Sequence, residues 1–333
     1  MHVHTSARRA ARTAVAALVA AAACWGTGTV VAKQVVDDIA PLTLLPVQLA
    51  VSCAFLLVVA LVRREPLIWT PSVRRLAALG VLNPGIAYAL GLIGLTTITA
   101  SMSVLLWALE PVAILLLAAL VLRERIPPTL AVTVGVAISG ALLVLYQPGA
   151  SGDAVGITLT LVSIGFCALY TVLTRRLMLD DSSLAVVLAQ QAAALVFAVA
   201  LASVVELAGG PGWDLAGLGT GAWLGAAVSG ILYYGLGFAF YVTGLRHLPA
   251  SYAGAFLPLI PVFGVAAGHL VGERLELRQW LGAMVIVAAT AAIAANHRVA
   301  GKPVEHRGPR LRPGDRSVVS RNDSMHRDEG ESS

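Results

Sequence analysis

The sequence contains one pattern written twice. At an offset of 150 residues identical pairs recur, namely Gly80 with Gly230, Gly85 with Gly235, Gly94-Leu95 with Gly244-Leu245, Ala100-Ser101 with Ala250-Ser251, and Pro111 with Pro261. An offset of 143 residues pairs Cys24 with Cys167 and Gln48 with Gln191. The fold is therefore constrained to two similar halves that are related by a duplication.

The composition places both halves in a membrane. Of the 333 residues, 58% are hydrophobic and 12% are charged, against about 25% charged in an average soluble domain. Ten apolar runs are long enough to cross about 30 Å of hydrocarbon. These predicted spans 1 to 10 lie near 14–33, 42–62, 76–95, 100–122, 128–146, 154–174, 184–206, 219–245, 249–271 and 277–295. Alternating polarity is absent, so we predict an all-α integral membrane protein rather than a closed barrel.

Each half holds five spans, and this odd number inverts the second half relative to the first. We predict a first repeat at 14–146 and a second at 154–296, around a central cavity. A Gly- and Ser-containing linker at 147–153 joins them. Residues 1–13 are predicted to be a cytoplasmic N-terminus and residues 297–333, which lack aromatic residues, a disordered cytoplasmic tail. Inverted repeats are typical of secondary transporters, whose substrate site lies where the copies meet.

The distribution of basic residues predicts the orientation. With the N-terminus inside, cytoplasmic segments hold twelve Lys and Arg residues before the tail is counted, and the opposite side holds three, Lys33, Arg274 and Arg278. This asymmetry indicates cytoplasmic ends and a location in the cell membrane. A cleavable signal before Cys24 is the alternative for span 1; we favour an uncleaved span because the apolar stretch continues to Ala32.

Several classes of function are not supported. The basic residues lie in loops and the tail, which argues against nucleic acid as a partner. The three cysteines all lie within apolar runs, so neither a disulfide framework nor a metal-ligand spacing is present. No phosphate loop or nucleophile–base pair occurs. We therefore predict no enzyme activity, no cofactor and no metal.

Short motifs in both halves resemble the EamA-type permeases of the drug/metabolite transporter superfamily. The resemblance rests on Trp25-Gly26 with Lys33, on Glu110-Pro111-Val112 followed by Leu122-Arg123-Glu124-Arg125, and on Pro261-Val262-Phe263 with Gly272-Glu273-Arg274. It covers about residues 14 to 296. It implies a basket of ten helices around a central cavity, alternating access, and export or exchange of small metabolites. Gln48 stands where family members often carry Arg, so contact with an anionic substrate is not implied there.

Glu110 is the most informative single residue, because it is the only Asp or Glu in the middle of any span. An ionised carboxylate at that depth costs several kcal/mol unless it is paired or hydrated. We predict that Glu110 binds protons or a substrate amine; a neutral Glu bonded to a neighbouring helix is the alternative. Trp107 lies one turn away on the same face, where it would stack on an amine or a ring, or else pack against lipid.

Prolines interrupt the helices beside these residues. Pro111 removes a backbone hydrogen bond in span 4, and Pro258 and Pro261 do so in span 9. Pro84, next to the polar Asn83, does the same in span 3. Broken helices at corresponding places in two repeats point to a transport site, although static kinks are equally compatible with proline.

The remaining candidates are polar or aromatic residues of the spans. Tyr88 and Tyr241 are candidate cavity-wall residues, with packing or interfacial roles as the alternative. Gln48 and Gln191 are candidate substrate-binding amides or interhelical hydrogen-bonding groups. Trp25, one of the residues that carry the resemblance, completes the candidate substrate-binding set.

The sequence thus predicts a secondary transporter that exports small metabolites, such as amino acids or toxic compounds, by alternating access. Proton coupling is left open, as is a homodimer. The alternatives are an uncoupled exchanger of sugar- or nucleotide-type metabolites and, less favoured, a membrane enzyme or scaffold. The predicted partners are a small-molecule solute, the lipid bilayer and, under coupling, protons.

Overall fold

The computed structural model describes residues 2–35, 38–67, 69–95, 97–98, 100–146, 153–178, 181–210, 213, 215, 217–270 and 276–300. Most of the predicted linker at 147–153, the segment with Glu273 and Arg274, and residues 301–333 of the predicted tail lie outside these ranges. One compact unit comprises Met1–Arg298, and a separate C-terminal unit comprises Val299–Ser333.

The described chain is built from helices. In order they are α1 (His2–Lys33), α2 (Pro41–Arg63), α3 (Pro71–Gly80), α4 (Ala87–Leu95), α5 (Ala100–Trp107), α6 (Glu110–Val121), α7 (Pro128–Leu145), α8 (Ala154–Leu177), α9 (Ser183–Leu207), α10 (Thr220–Ser229), α11 (Phe238–His247), α12 (Ala250–Gly254), α13 (Leu259–Leu270) and α14 (Leu277–Ala300). Two π-helical segments join α3 to α4 (Val81–Ile86) and α10 to α11 (Gly230–Gly237).

Eight continuous stretches of the described chain are long and apolar enough to cross a membrane. They correspond to predicted spans 1, 2 and 5 to 10, with ends within a few residues of the prediction except at the outer ends of the first and last helices. Predicted spans 3 and 4 are not among these eight stretches; residues 71–95 and 100–121 hold α3, the first π segment and α4, and then α5 and α6. Helix α14 continues to Ala300, past the predicted start of the tail at His297.

Large apolar side chains remain exposed on the outer faces of the helices. Leu120 is 75% exposed, Val62 78% and Val196 71%. Water would make such a surface costly, whereas lipid tails cover it without penalty. The protein is therefore a multi-pass membrane protein whose buried core lies between the helices.

The two halves interlock instead of folding side by side. In the second half α8 packs on α4, the first π segment and α6, and in the first half α1 packs on α11, the second π segment and α13. Likewise α9 packs on α3, and α2 on α10 and the second π segment. Each half therefore uses its first two spans to cover the third and fourth spans of the other half, a reciprocal pattern that a two-fold relation between the repeats predicts.

Glycines permit the closest of these contacts. The backbone at Gly80 lies against the Gln190 carbonyl, and that at Gly230 lies against the Gln48 carbonyl, so neither position has room for a Cβ atom. Gln190, not its neighbour Gln191, is thus the structural counterpart of Gln48. The structurally equivalent residue therefore lies one position earlier in the chain than the residue matched by sequence. Gly140 and Gly282 bring spans 5 and 10 together in the same way.

Loop contacts segregate to two ends of the molecule. At one end the Ser182 hydroxyl donates to Glu65 at 2.6 Å, and the Ser72 hydroxyl donates to Asp181 at 2.7 Å. At the other end the Asp153 amide donates to the Thr97 carbonyl at 3.4 Å. Each of these contacts joins the first half of the chain to the second.

Candidate functional site

Four helix interruptions lie at matched places in the two halves. Span 4 is broken between Trp107 and Glu110, directly before Pro111, and span 9 is broken over 255–258, between α12 and α13. Spans 3 and 8 each carry a π segment, and the two segments are about 150 residues apart. π-helical turns and broken helices are frequent at functional sites because they free backbone groups from the regular ladder.

The first π segment is shaped by Asn83 and Pro84. Asn83 has non-helical backbone angles (φ −149°, ψ 120°), and its peptide bond to Pro84 is cis. Its side chain is 6% exposed, and its Oδ1 has no hydrogen-bond partner among the described residues. An unpaired amide oxygen at this depth is costly, so the position favours a bound polar group or water.

The second π segment contains no proline. It has glycines at Gly230, Gly235 and Gly237, and the pair Tyr233 and Tyr234 lies at its centre. The backbone at Gly235 lies against Phe55, and that at Gly237 lies against the Trp25 indole. The sequence analysis missed this interruption; the glycine spacing was the signal that could have located it.

Unpaired buried polar atoms concentrate around the two segments. Besides Asn83 Oδ1, the Gln191 Oε1, Ser52 Oγ and Trp25 Nε1 atoms have no partner within the described chain. Gln191 Nε2 donates to the Tyr234 carbonyl at 3.3 Å, and Ser52 and Trp25 lie beside Gly235 and Gly237 of the second segment. The middle of the bundle therefore offers several unused polar groups, as a solute site requires.

An aromatic cluster connects these elements across both halves. Its members are Trp25, Tyr88, Trp107, Tyr170, Tyr233, Tyr234, Phe238 and Tyr241. All four aromatic residues predicted from the sequence are in it. Trp25 contacts Tyr241 with ring centroids 5.1 Å apart, and Tyr88 contacts Trp107 at 6.3 Å.

Tyr88 links the two halves within this cluster. Its hydroxyl donates to the Tyr233 hydroxyl at 2.7 Å, which joins span 3 of the first half to span 8 of the second. Tyr170 and Phe238 were not singled out from the sequence; the Tyr170 hydroxyl donates to Gln190 Oε1 at 2.9 Å. The cluster is thus tied into a hydrogen-bond network rather than packed as apolar rings alone.

Glu110 lies at the edge of the aromatic cluster. It is the first residue of α6, directly after the break in span 4. Its carboxyl is close enough to interact electrostatically with the Cys167 thiol and with the hydroxyls of Tyr233 and Tyr241. Among the described residues it forms no ion pair. The Glu110 carboxyl is therefore half-buried and lies near polar groups of the cluster.

The two predicted glutamines take part in interhelical bonding. Gln48 is 5% exposed, and its amide donates to the Ser229 hydroxyl at 2.7 Å. Gln191 is fully buried and bonds to span 8 through its amide nitrogen, with its oxygen left unpaired. In this conformation Gln48 joins two helices, and Gln191 keeps one atom available.

A second contact between the halves lies at the end with Glu65 and Ser182. The Glu124 carboxylate accepts hydrogen bonds from the Ala250 amide at 2.9 Å, the Ser251 amide at 3.1 Å and the Ser251 hydroxyl at 2.6 Å. It thereby caps the N-terminus of α12 at the start of span 9. This contact joins the end of span 4 to the start of span 9.

No metal centre is apparent in the described part of the chain, where no three His, Cys, Asp or Glu side chains come together. The aromatic rings, the unpaired amides and one carboxylate instead suit reversible binding of an organic solute.

Comparison with known proteins identifies the relatives of this arrangement. The model of the EamA-like transporter family matches residues 12–146 and, separately, residues 154–295. The chain belongs to the EamA-like transporter family. An uncharacterized transporter of Archaeoglobus fulgidus (strain ATCC 49558 / DSM 4304 / JCM 9628 / NBRC 100126 / VC-16) is 25% identical to it over 264 residues, which cover 79% of this chain and 92% of the relative.

The fold also recurs in a solved structure. A crystal structure of a protein aligns with a TM-score of 0.74 at 18% identity, covering 87% of this chain and 98% of the other. At this identity the likeness concerns the fold alone. In this EamA protein the four helix interruptions and the aromatic cluster all lie within the two matched ranges.

Proposed function

We propose that this EamA protein is a secondary transporter in the cell membrane, with ten spans arranged as two inverted five-helix repeats and with cytoplasmic ends. The reciprocal packing of the halves supports the inverted arrangement. In this proposal, spans 3 and 4 each cross the membrane once, as two helices that follow each other across an interruption. The excess of Lys and Arg in alternate loops supports the orientation.

The proposed substrate site is the aromatic cluster between the two halves. Its members Tyr88, Trp107 and Tyr233 lie in or beside the interruptions of spans 3, 4 and 8. Transporters of this class bind solutes at such breaks near the bilayer midplane. The solute would contact Trp107, Tyr88, Trp25 and Tyr241 through its rings or apolar groups. Asn83 and Gln191 offer unpaired oxygens that suit its hydrogen-bond donors.

The position of Glu110 carries the proposal. A half-buried carboxylate that follows Trp107 by three residues, with no cation paired to it in the described chain, provides a site for an amine. Amino acids and amphiphilic toxic amines have this chemistry. We propose that a proton neutralises Glu110 when the amine leaves, so that inward proton movement drives export.

Alternating access would use the interruptions as joints. Pro84, Pro111, Pro258 and Pro261 lie at or beside breaks in spans 3, 4 and 9, where the missing backbone hydrogen bonds reduce the cost of bending. Opening toward the cytoplasm would require the contact between Glu124 and the start of span 9 to break.

Solute counterflow in proteoliposomes tests the proposal. Vesicles preloaded with an unlabelled aromatic amine, a neutral amino acid, a sugar phosphate or a nucleoside are diluted into the labelled compound. We expect counterflow with the amine, and uptake that an imposed pH gradient drives. Counterflow of the sugar phosphate alone, without an effect of pH, would favour the uncoupled exchanger. Absence of counterflow for every compound found in a prior toxicity and metabolite screen would refute transport.

A further inference from the structure

A cleft at the cytoplasmic rim lies between the two halves, at the end of α8. It has a volume of about 330 Å³ and is lined by Pro71, Ser72 and Arg75 of α3 and by Arg176 and Leu177 of α8. The first three residues belong to the first repeat and the last two to the second. Whatever occupies the cleft therefore contacts both halves at once.

The neighbouring side chains place the cleft at the level of lipid headgroups. Trp69 and Leu67, which lie just before α3, are 63% and 44% exposed. Exposed tryptophan next to a helix end is typical of the membrane–water interface. Arg75 lies one turn inside α3, and Arg176 is the next-to-last residue of α8, so both guanidinium groups are at the end of the apolar part of their spans.

Both arginines are available for a ligand. Arg75 and Arg176 are exposed to solvent, and within the described ranges neither forms an ion pair. The Asp181 carboxylate, which contacts the cleft residue Ser72, accepts hydrogen bonds from the Ser72 and Thr70 hydroxyls. Those bonds attach the loop before span 7 to the start of span 3 and leave the guanidinium groups facing the cleft.

The chemistry of two guanidinium groups in one cleft selects a phosphate. A guanidinium offers parallel N–H donors that match phosphate oxygens, and two groups from different elements hold one phosphate from two sides. Basic pockets between transmembrane helices on the cytoplasmic side are a recurrent mode of binding to anionic headgroups. Leu177 and Pro71 supply an apolar wall for the adjoining glycerol or acyl carbons.

We propose that this cleft is a regulatory phosphate site that binds the headgroup of an anionic lipid of the cytoplasmic leaflet and stabilises the conformation described above. A ligand that contacts α3 and α8 together favours the state in which they are close, by mass action. Soluble phosphate esters have the same chemistry, and the experiment below separates the two sources. The prediction concerns stability and lipid binding, so it does not depend on the proposed transport function.

The test uses the full-length protein in nanodiscs of phosphatidylcholine alone or with phosphatidylglycerol. The double variant R75Q/R176Q removes both guanidinium groups, and R74Q/R125Q removes two exposed arginines of the same cytoplasmic side that do not line the cleft. We expect phosphatidylglycerol to raise the Tm of the wild type and of R74Q/R125Q by about 3 °C, and to leave R75Q/R176Q unchanged. Native mass spectrometry should show one retained phosphatidylglycerol in the first two proteins only.

A parallel arm adds millimolar inorganic phosphate or glycerol phosphate to the phosphatidylcholine nanodiscs. If these ions raise the Tm of the wild type but not that of R75Q/R176Q, the cleft is a phosphate site whose ligand is a soluble ester and not a lipid. An equal rise in Tm with phosphatidylglycerol for R75Q/R176Q and R74Q/R125Q would overturn the proposal, since the effect would then reflect overall charge. If R75Q/R176Q does not fold, R75K/R176K retains the charges without the planar guanidinium, and we expect less than half of the wild-type shift.

Discussion

Spans 4 and 9 occupy the same place in the two halves, and both are broken there, but the residues at the breaks differ. Span 4 carries Trp107 and Glu110 next to Pro111, whereas span 9 carries Leu257 and Ile260 next to Pro261. The duplicated property is the interruption of the backbone. The chemistry that a substrate would recognise is present in only one copy, so the two halves can move alike and still bind unlike parts of a solute.

The largest predicted effect on transport comes from removing the carboxyl of Glu110, which only the first half carries. We expect Glu110→Gln to lower pH-driven transport by at least about 10-fold, because a bond to a charged group is lost in a low-dielectric site. Ile260→Leu, at the matching place in span 9, should keep transport within about 2-fold, because a volume-conserving apolar exchange is tolerated. Initial rates of uptake in proteoliposomes with an imposed pH gradient measure both.

Exchanging the two residues sharpens the same comparison. In the double variant E110I/I260E the carboxyl is moved to the other half, where Leu257 replaces the aromatic Trp107. We expect no recovery of transport. Recovery to the wild-type rate would contradict a one-sided site and would indicate that either half can carry the carboxyl.

The next effect concerns the glycines that join the halves. Gly80→Ala and Gly230→Ala each place a Cβ atom against a backbone carbonyl of the other half, that of Gln190 or Gln48. We expect each to lower the free energy of unfolding by about 1–3 kcal/mol, and Gly80→Ala to cost more, because its space is smaller.

Thermal unfolding in a fixed detergent measures this difference, with Gly135→Ala as the control. Nothing lies within 4 Å of the Cβ position at Gly135, so alanine there should be neutral or stabilising, as expected for a helix interior. An equal loss of stability at Gly80 and Gly135 would contradict the proposal that contact between the halves decides the result.

A smaller effect is expected from Glu124, which caps the start of span 9. Glu124→Ala should increase labelling of Cys167 by a membrane-impermeant thiol reagent from the cytoplasmic side several-fold, because three hydrogen bonds to Ala250 and Ser251 are lost. The assay uses inside-out vesicles and a background with Cys24→Ser and Cys53→Ser.

The second repeat contains an equivalent of Glu124 that can be tested in the same assay. Glu273, which lies outside the described residues, follows span 9 as Glu124 follows span 4. If the halves are inverted copies, Glu273→Ala should increase labelling of Cys167 from the opposite side of the membrane. Labelling from the cytoplasmic side in both variants would contradict the inverted arrangement.

The smallest effect is expected at Asp153, which caps α8 at the start of the second half. Hydrogen bonds from the Gly156 amide and then from Thr97 hold the pKa of its carboxyl below its usual range. The charge therefore contributes stability above the unfolded-state pKa of about 3.9, and this contribution is lost as the pH falls through the lower folded-state pKa. Asp153→Asn keeps a capping oxygen, so its Tm should fall slightly below that of the wild type at pH 7.

The pH dependence of that difference is the decisive measurement. The wild type and Asp153→Asn should have the same Tm in acid, where both side chains are neutral. A difference that persists at low pH would assign the effect to cap geometry and not to charge. The first half has alanines near the equivalent start of span 1, so no matching titration is expected there.

The positions of the spans could be predicted from sequence because lipid imposes a length on each apolar run. The interruptions were predictable only where proline causes them, as at Pro84 and Pro111. The π segment of span 8 was not, because it depends on how Gly235 and Gly237 pack against spans 2 and 1. Irregular turns that rest on tertiary contacts leave a weak local signal.

The candidate site likewise contains residues that the sequence could identify and one pairing that it could not. Residue type and depth singled out Glu110 and the four aromatic residues, since such groups are costly or unusual within a span. Sequence spacing matched Gln48 to Gln191. In the structure the residue equivalent to Gln48 is Gln190, because each packs against the matching glycine of the other half, Gly230 or Gly80. A shift of one residue along a helix turns the side chain by about 100°, and only the packed structure decides which of two adjacent amides faces the neighbour.

The interlocked packing also bears on how the protein is made. When the linker at 147–153 leaves the ribosome, every helix of the first half has been synthesised, but the principal neighbours of α1, α3 and α4 have not. Until the second half is inserted, the close contact at Gly80 and the hydrogen bond from the Tyr88 hydroxyl both lack their partners, Gln190 and Tyr233. The two halves must therefore complete each other within the bilayer, and a chain truncated at the linker would present to the membrane's proteases a surface that the finished protein never shows.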